Sequence, residues 1–129
     1  MTLPKGSCLC GGVRFSVPGP VGAVTACHCT QCRKTSGHFA ASFDISGAPD
    51  YSQRETLGQY RSAGGATRGF CTRCGSSLWF RSKTGDWSVE AGVIDGLTHA
   101  HLDAHIFVAD KGDYYSLSDG LPQSEGAAC

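Results

Sequence analysis

The stretch Cys27-His28-Cys29-Thr30-Gln31-Cys32 places three thiols within six residues, in a C-x-C-x-x-C pattern. Thiolates are soft ligands, and three of them on one short loop suit a zinc ion that keeps one coordination position free. That position could accept a water molecule, a fourth side chain or an incoming thiolate. The pattern therefore predicts a metal site open to chemistry. The alternative is a second closed, structural site that a histidine completes.

Four further cysteines form two short pairs, Cys8-x-Cys10 and Cys71-x-x-Cys74. Together they offer four sulfur atoms, which make a complete tetrahedral shell and leave no position for a substrate. Gly75 follows the second pair and permits a tight turn that aims backbone N–H groups at sulfur. We therefore expect a structural zinc ion that contributes much of the folding free energy, with four incidental buried thiols as the alternative.

The composition bounds the class of protein. The chain has 129 residues, 18 glycines, few charged residues and a formal net charge of zero. This predicts one domain, 1–129, built from short strands and turns. The zero charge gives no support to a nucleic-acid or anionic-membrane partner, and no apolar run has the length of a membrane span.

The cysteine count bears on the compartment. We see no secretory signal in the first residues, so we expect a reducing, cytoplasmic location. Disulfides are rare there, and the seven clustered cysteines are an odd number, so metal binding is favoured over a disulfide framework. The eighth cysteine, Cys129, belongs to none of the three groups.

Alternating apolar and polar residues predict an all-β architecture of small sheets. The predicted strands are 13–17, 23–26, 39–45, 57–61, 77–80, 87–93 and 105–108. Residues 33–37 are expected to form one helical turn, and 118–129 are expected to be loop.

The histidines are candidates for metal binding or proton transfer. In an extended segment the His28 side chain points away from the neighbouring sulfurs, so we expect it behind the ligands or exposed. His38 is the best-placed histidine for proton transfer. Four residues would share one face of an extended strand: His99, His101, Asp103 and His105. That face resembles a metal site, but the wet side of an edge strand is the commoner explanation.

Several other residues could contact a bound ligand or could have a purely structural role. Arg33 and Lys34 would attract an anionic ligand and lower nearby thiol pKa values, or they are solvated surface charges. Tyr114 and Tyr115 could face a pocket. Four aromatic residues are expected in the core rather than in a substrate box: Phe39, Phe43, Trp79 and Phe107.

Four stretches in order carry a family resemblance. They are GSCLCGGVRF at 6–15, CHCTQCRK at 27–34, FCTRCGS at 70–76, and HIFV at 105–108 followed by DGLPQ at 119–123. Together they resemble the glutathione-dependent formaldehyde-activating family, which shares a domain with centromere protein V.

The resemblance implies a zinc-binding β-tent fold of small packed antiparallel sheets. It implies that Cys8, Cys10, Cys71 and Cys74 bind a structural zinc ion. It also implies that Cys27, Cys29 and Cys32 bind a catalytic one. The implied activity condenses formaldehyde with glutathione to S-hydroxymethylglutathione, which is a carbon–sulfur lyase reaction run in reverse.

Two classes of function are compatible with these residues. The first is a zinc-dependent enzyme that joins a thiol, glutathione, to an aldehyde, or a zinc-thiolate enzyme of different chemistry. The second is a non-catalytic zinc module that binds a protein partner. The open three-cysteine loop favours the enzyme, because a scaffold has little use for an unfilled coordination position.

Overall fold

The computed structural model describes residues 2–127, which form ten strands and one α-helix. The strands are β1 (Lys5–Ser7), β2 (Arg14–Ser16), β3 (Val24–Cys27), β4 (Ala40–Ile45), β5 (Asp50–Gln53), β6 (Leu57–Arg61), β7 (Thr67–Cys71), β8 (Ser77–Arg81), β9 (Trp87–Glu90) and β10 (Leu102–Ile106). The helix is α1 (Thr30–Ser36). The all-β fold class is confirmed, and Cys129 lies outside the described residues.

A small antiparallel sheet contains β1, β2 and β5. The sequence predicts only β2, as 13–17; the strand itself is Arg14–Ser16, and Val13 and Val17 are fully buried at its two ends. β1 and β5 are three and four residues long, and no pair of flanking valines extends an alternating pattern beyond them as Val13 and Val17 do for β2.

The other seven strands form one sheet in the order β10-β3-β4-β9-β8-β7-β6. Neighbouring strands are antiparallel except β10 and β3, which run parallel, with Ala104 opposite Thr25 and Ile106 opposite Cys27. The sheet is therefore mixed, and the expectation of antiparallel sheets alone is wrong at this edge. The two parallel strands are far apart in the chain, so no local sequence pattern indicates that they pair.

The last strand lies earlier in the chain than the sequence predicts. It spans Leu102–Ile106 rather than 105–108, because Phe107 adopts a left-handed backbone conformation with φ 55° and a 3-10 turn follows at Val108–Asp110. The tail then returns along β10, where His105 N–H donates to the Pro122 carbonyl at 2.9 Å. This return covers backbone groups that an edge strand would leave exposed.

The helix begins earlier than the expected turn at 33–37. Cys29 is its N-cap, and the Cys29 sulfur accepts a hydrogen bond from the Cys32 backbone N–H at 3.3 Å. Gly37 ends the helix in the left-handed conformation, with φ 84°, and its N–H donates to the Arg33 carbonyl. No helix within residues 2–127 is long and apolar enough to cross a membrane.

The core contains a continuous row of side chains across four strands of the large sheet. Phe43 on β4 lies opposite Val89 on β9, which lies opposite Trp79 on β8, which lies opposite Gly69 on β7. The first three are almost completely buried, which confirms the core positions of Phe43 and Trp79. The indole of Trp79 lies over the backbone of Gly69, where a Cβ atom would be only 2.1 Å from Trp79 Cε2.

We expect Gly69→Ala to destabilise the fold, because the added methyl group overlaps a ring that packed neighbours hold in place. Overpacking of this kind costs about 1–3 kcal/mol, measurable as a lower midpoint of chemical unfolding. The control is Gly22→Ala, whose added Cβ meets no atom within 4 Å. Equal midpoints for the two variants would contradict the role given to the Gly69–Trp79 contact.

Candidate metal centres and the adjoining cavity

The structure brings together the four thiols of the two distant pairs, Cys8/Cys10 and Cys71/Cys74. Their sulfur atoms lie within 4.8 Å of one another, and Cys10 Sγ is 3.6 Å from Cys71 Sγ across a separation of 61 residues. The group could hold a metal ion.

Hydrogen-bond donors converge on the sulfurs of this four-thiol group. The Val13 N–H donates to Cys8 at 3.2 Å, and the Cys74 N–H donates to Cys71 at 3.3 Å. The Ser76 hydroxyl contacts the Cys74 sulfur at 3.3 Å and is the main reason that the pKa of this thiol falls to about 5. Four sulfurs with N–H and O–H groups aimed at them fit a soft divalent cation bound by thiolates.

The second group contains Cys27, Cys29 and Cys32, whose sulfur atoms also lie within 4.8 Å of one another. Cys27 ends β3, Cys29 caps α1, and Cys32 lies in the first turn of that helix. Hydrogen bonds from the other two thiols lower the pKa of Cys29 well below its ordinary value. Within residues 2–127 no histidine or carboxylate joins this group, so the closed site completed by histidine is not formed.

A cavity of about 640 Å³ adjoins the three-thiol group. Its wall is one face of the large sheet, contributed by alternate residues of six strands, while the intervening residues point into the core. The alternate residues are Thr25 and Cys27 on β3, Ala40, Ser42 and Asp44 on β4, Arg68 on β7, Phe80 on β8, Ser88 and Glu90 on β9, and Ala104 and Ile106 on β10. Most of them are small, and this leaves the volume beside the sulfurs.

Arg68 supplies a buried positive charge beside the three thiols. Its side chain on β7 is only 7% exposed, and its Nη2 lies 3.8 Å from Cys32 Sγ and 3.3 Å from Gln31 Oε1. The guanidinium also lies over the Phe80 ring, with Cζ 5.0 Å from the ring centroid. β7 is four strands from β3 in the sheet order, so this contact requires the sheet to curve around the cavity.

The expected cations occupy other positions. Lys34 is exposed, Arg33 is half-buried, and neither lines the cavity. Arg68 is not among the residues predicted from the sequence, although its being the single charged residue in the short strand Thr67–Cys71 is a signal that could have indicated it.

Glu90 is the second ionisable residue that the sequence analysis passes over. It lines the cavity from β9, directly across from Ser42 on β4. Removal from water raises the pKa of its carboxyl to about 7, and the charge of Arg68 opposes part of that rise. No hydrogen bond or ion pair formed within residues 2–127 involves the Glu90 carboxyl.

The family model described as "Glutathione-dependent formaldehyde-activating enzyme" matches residues 3–110. The chain belongs to this family. Among its relatives, an uncharacterised lyase of Schizosaccharomyces pombe is 28% identical over 117 residues, covering 89% of this chain and 85% of the relative.

One further relative agrees with the family, and one solved structure agrees with the fold. A Halomonas elongata protein with the provisional name glutathione-dependent formaldehyde-activating enzyme is 37% identical over 86 residues, covering 60% of this chain and 55% of that protein. A crystal structure of a Rhodobacter sphaeroides protein matches with a TM-score of 0.58 at 24% identity, over 74% of this chain and 91% of that one. The latter supports the fold alone.

Behind the three-thiol loop of this family member lies a chain of polar side chains. His28 is buried, its Nδ1 contacts the Tyr115 hydroxyl at 2.5 Å, and its Nε2 contacts His105 Nδ1 at 2.9 Å. His105 Nε2 contacts Asp119 Oδ2 at 2.7 Å. Neutral histidines satisfy every contact if Tyr115 donates to His28, His28 to His105, and His105 to Asp119. These hydrogen-bonded side chains therefore support the three-thiol loop from the side opposite the cavity.

The other histidine expectations have mixed outcomes. His28 does lie behind the cysteines, whereas His105 is buried and not on the wet side of a strand. A register shift between Leu102 and Ala104 breaks the expected alternation. The three remaining members of that predicted face are exposed, and none joins a metal-binding group within residues 2–127: His99, His101 and Asp103.

His38 and the nearby aromatic residues lie off the cavity wall. His38 Nδ1 contacts the Tyr114 hydroxyl at 2.6 Å, and neither residue lines the cavity. Phe39 is half-buried against the His28 ring, with centroids 4.9 Å apart, rather than in the main core. Phe107, also expected in the core, lines the cavity instead. Tyr115 is bonded to His28 and does not face the cavity.

We expect Glu90→Gln to stabilise the protein, increasingly so as the pH rises. The carboxyl has a higher pKa when folded than when unfolded, so folding is weakened as the pH rises from about 4.5 to about 7. A glutamine does not ionise, so the gain in unfolding free energy should reach about 2–3 kcal/mol at pH 8 and be smaller at pH 6. Urea unfolding at the two pH values measures it.

The control for this prediction is Asp44→Asn, which removes an exposed carboxyl from the same cavity. It should change the free energy of unfolding at pH 8 by no more than about 0.5 kcal/mol, as is usual for surface substitutions. A gain for Glu90→Gln that is equal at pH 6 and pH 8 would show that the Glu90 carboxyl is not the group that titrates.

Proposed function

We propose that this protein is a zinc-dependent enzyme that joins the thiol of glutathione to formaldehyde, forming S-hydroxymethylglutathione. The reverse reaction is that of a carbon–sulfur lyase. The observation that carries the proposal is the three-thiol group facing a cavity of about 640 Å³ in a chain of this family. That volume is in the usual range for small-molecule sites and is sufficient for a tripeptide thiol.

The two thiol groups have different roles in this proposal. Cys8, Cys10, Cys71 and Cys74 hold a structural zinc ion that joins the start of the chain to β7. Cys27, Cys29 and Cys32 hold a catalytic zinc ion. When bound there, zinc supplies Lewis acidity and lowers the pKa of a substrate thiol.

The residues of the chain itself supply charge and shielding. Three thiolates and one divalent cation have a net charge of −1, and Arg68, 3.8 Å from Cys32 Sγ, offsets it. Without this offset, an anionic thiolate would be repelled from the three-thiol group. The curved face of the large sheet shields one side of the reacting atoms from water, which strengthens these electrostatic interactions.

The reaction itself is an addition without any oxidation or reduction. The glutathione sulfur forms a bond to the carbon of formaldehyde, and the π electrons of the C=O bond move to the oxygen. The proton lost from sulfur is matched by one gained on that oxygen. The protein must therefore bind a thiol, align it with a small aldehyde and move one proton.

We further propose that residues 1–129 act as one domain in a reducing, cytoplasmic compartment, where seven unpaired cysteines can serve as metal ligands. A protein-binding zinc module is the competing function. The buried Arg68 beside the sulfurs and the cavity that it faces support the enzyme instead.

The structural role predicts a severe effect for Cys71→Ser. A structural zinc contributes about 10–16 kcal/mol in small zinc domains, comparable with the whole stability of a domain at about 5–15 kcal/mol. We therefore expect Cys71→Ser to be unfolded at 25 °C by circular dichroism. Its matched control, Cys27→Ser, should keep the wild-type spectrum and lose turnover. If Cys27→Ser is also unfolded, the second zinc is structural and the enzyme proposal fails.

Calorimetric titration of zinc-loaded protein with glutathione tests the substrate. We expect one binding site per chain, lost in Cys27→Ser and strongly weakened when S-methylglutathione replaces glutathione, because the contact depends on a free thiol. No heat of binding in folded, fully metallated protein would remove glutathione as the substrate. Equal binding of the two peptides would place the thiol away from the three cysteines.

A further inference from the structure

The proposed addition needs a group that takes a proton from sulfur and returns one to oxygen. The expected donor, His38, does not line the cavity and contacts Tyr114 instead. Apart from the three thiols, the ionisable residues on the described cavity wall are Asp44, Arg68, Lys83 and Glu90. Arginine does not release its proton in proteins, so Arg68 cannot fill the role. Asp44 and Lys83 are exposed, where water exchanges protons with them freely.

The sheet register places Glu90 at a suitable distance from the three-thiol group. Cys27 is opposite Ala40 on β4, and Ser42, two residues further along β4, is opposite Glu90. Two strand spacings and two residues along the strand correspond to about 12 Å between the Cα atoms of Cys27 and Glu90. Both side chains point into the same cavity, so their ends leave a gap that a sulfur and a one-carbon aldehyde can span.

The wall between these two residues is made of small side chains. Ala40 and Ser42 lie directly between the strands of Cys27 and Glu90. A larger residue at either position would separate the Glu90 carboxyl from a molecule held at the sulfurs. No large side chain on the wall thus separates the Glu90 carboxyl from the three thiols, and this is a second feature that supports a shared role.

The surroundings of Glu90 suit a proton carrier. Burial disfavours its charged form, Arg68 on β7 favours that form, and Asp44, Lys83 and the three thiols are the other ionisable groups around the cavity. The resulting pKa of about 7 means that both protonation states are populated at neutral pH. General acid–base catalysis is most effective when the pKa is close to the working pH.

We propose that Glu90 is the catalytic acid–base residue of the thiol–aldehyde addition, an inference that rests on the function proposed above. The Glu90 carboxylate takes the proton from the glutathione thiol, and the resulting thiolate sulfur forms the bond to the aldehyde carbon. The electrons of the C=O bond pass to the aldehyde oxygen, which then takes the proton back from the Glu90 carboxyl. One proton leaves sulfur and one arrives at oxygen, so the residue ends in its starting state.

The test is exchange NMR on ¹³C-formaldehyde with glutathione and zinc-loaded protein, since the uncatalysed reaction gives a background that must be subtracted. We expect the wild type to increase the exchange between hydrated formaldehyde and S-hydroxymethylglutathione. Glu90→Gln should lower the protein-dependent rate about 100-fold, in line with general acid–base catalysis. It should also remove the inflection near pH 7 from the rate profile, while glutathione affinity by calorimetry changes less than about threefold.

Two controls separate proton transfer from a structural effect. Asp103→Asn removes an exposed carboxyl that does not line the cavity and should keep the wild-type rate and pH profile. Glu90→Ala vacates the space, and added formate should restore part of the rate, because a small carboxylic acid can occupy the position and carry the proton. If the Glu90 side chain only stabilised the fold, formate would not restore the rate.

The outcomes distinguish a failure of the role given to Glu90 from a failure of the proposed function. If the wild type accelerates exchange and Glu90→Gln keeps both that rate and its pH inflection, this inference is overturned and the proposed function stands. If Glu90→Gln loses rate and glutathione affinity equally, Glu90 binds substrate and does not carry the proton, which also overturns it. If the wild type itself gives no acceleration, the proposed function and this inference fail together.

Discussion

The convergence of four sulfur atoms from Cys8, Cys10, Cys71 and Cys74 is the constraint on which the rest of the structure depends. Cys8 and Cys10 directly follow the small sheet's first strand, whereas Cys71 ends β7 in the large sheet. The two sheets are therefore fixed to each other at the point where the thiols meet. A chain with 18 glycines and strands of three to six residues has little local structure to hold such an arrangement without a long-range link.

Side-chain size determines which face of the large sheet forms the core and which face lines the cavity. The face with Phe43, Val89 and Trp79 is filled and excludes water. The opposite face has small side chains at several positions, among them Ala40, Ser42 and Ser88, so this side of the sheet leaves an empty volume and not a second core. Arg68 reaches from β7 to Cys32 in the helix after β3. It therefore places a charge in this volume, at a position where a large apolar side chain would fill the cavity.

The sequence predicts the parts of the molecule that depend on local pattern. The thiol groups follow from their spacing, and strands such as Ala40–Ile45 follow from alternation. The parallel pairing of β10 with β3 is missed because pairing is decided by contacts between distant segments. Arg68 and Glu90 are missed for a related reason: a charged residue in a short strand reads as solvated until the curvature of the sheet is known.

The hydrogen-bonded chain from Tyr115 through His28 and His105 to Asp119 has a consequence for how the protein matures during synthesis. The four-thiol group is complete in sequence once Cys74 has been made, but the support behind the three-thiol loop needs Asp119, 45 residues later. At about 5–20 residues per second, a nascent chain spends about 2–9 s in between. During that interval one metal group can form, while the loop at Cys27 still lacks the residues that hold it from behind. On the proposed roles, the four-thiol group can therefore bind its metal before the three-thiol group is fully supported.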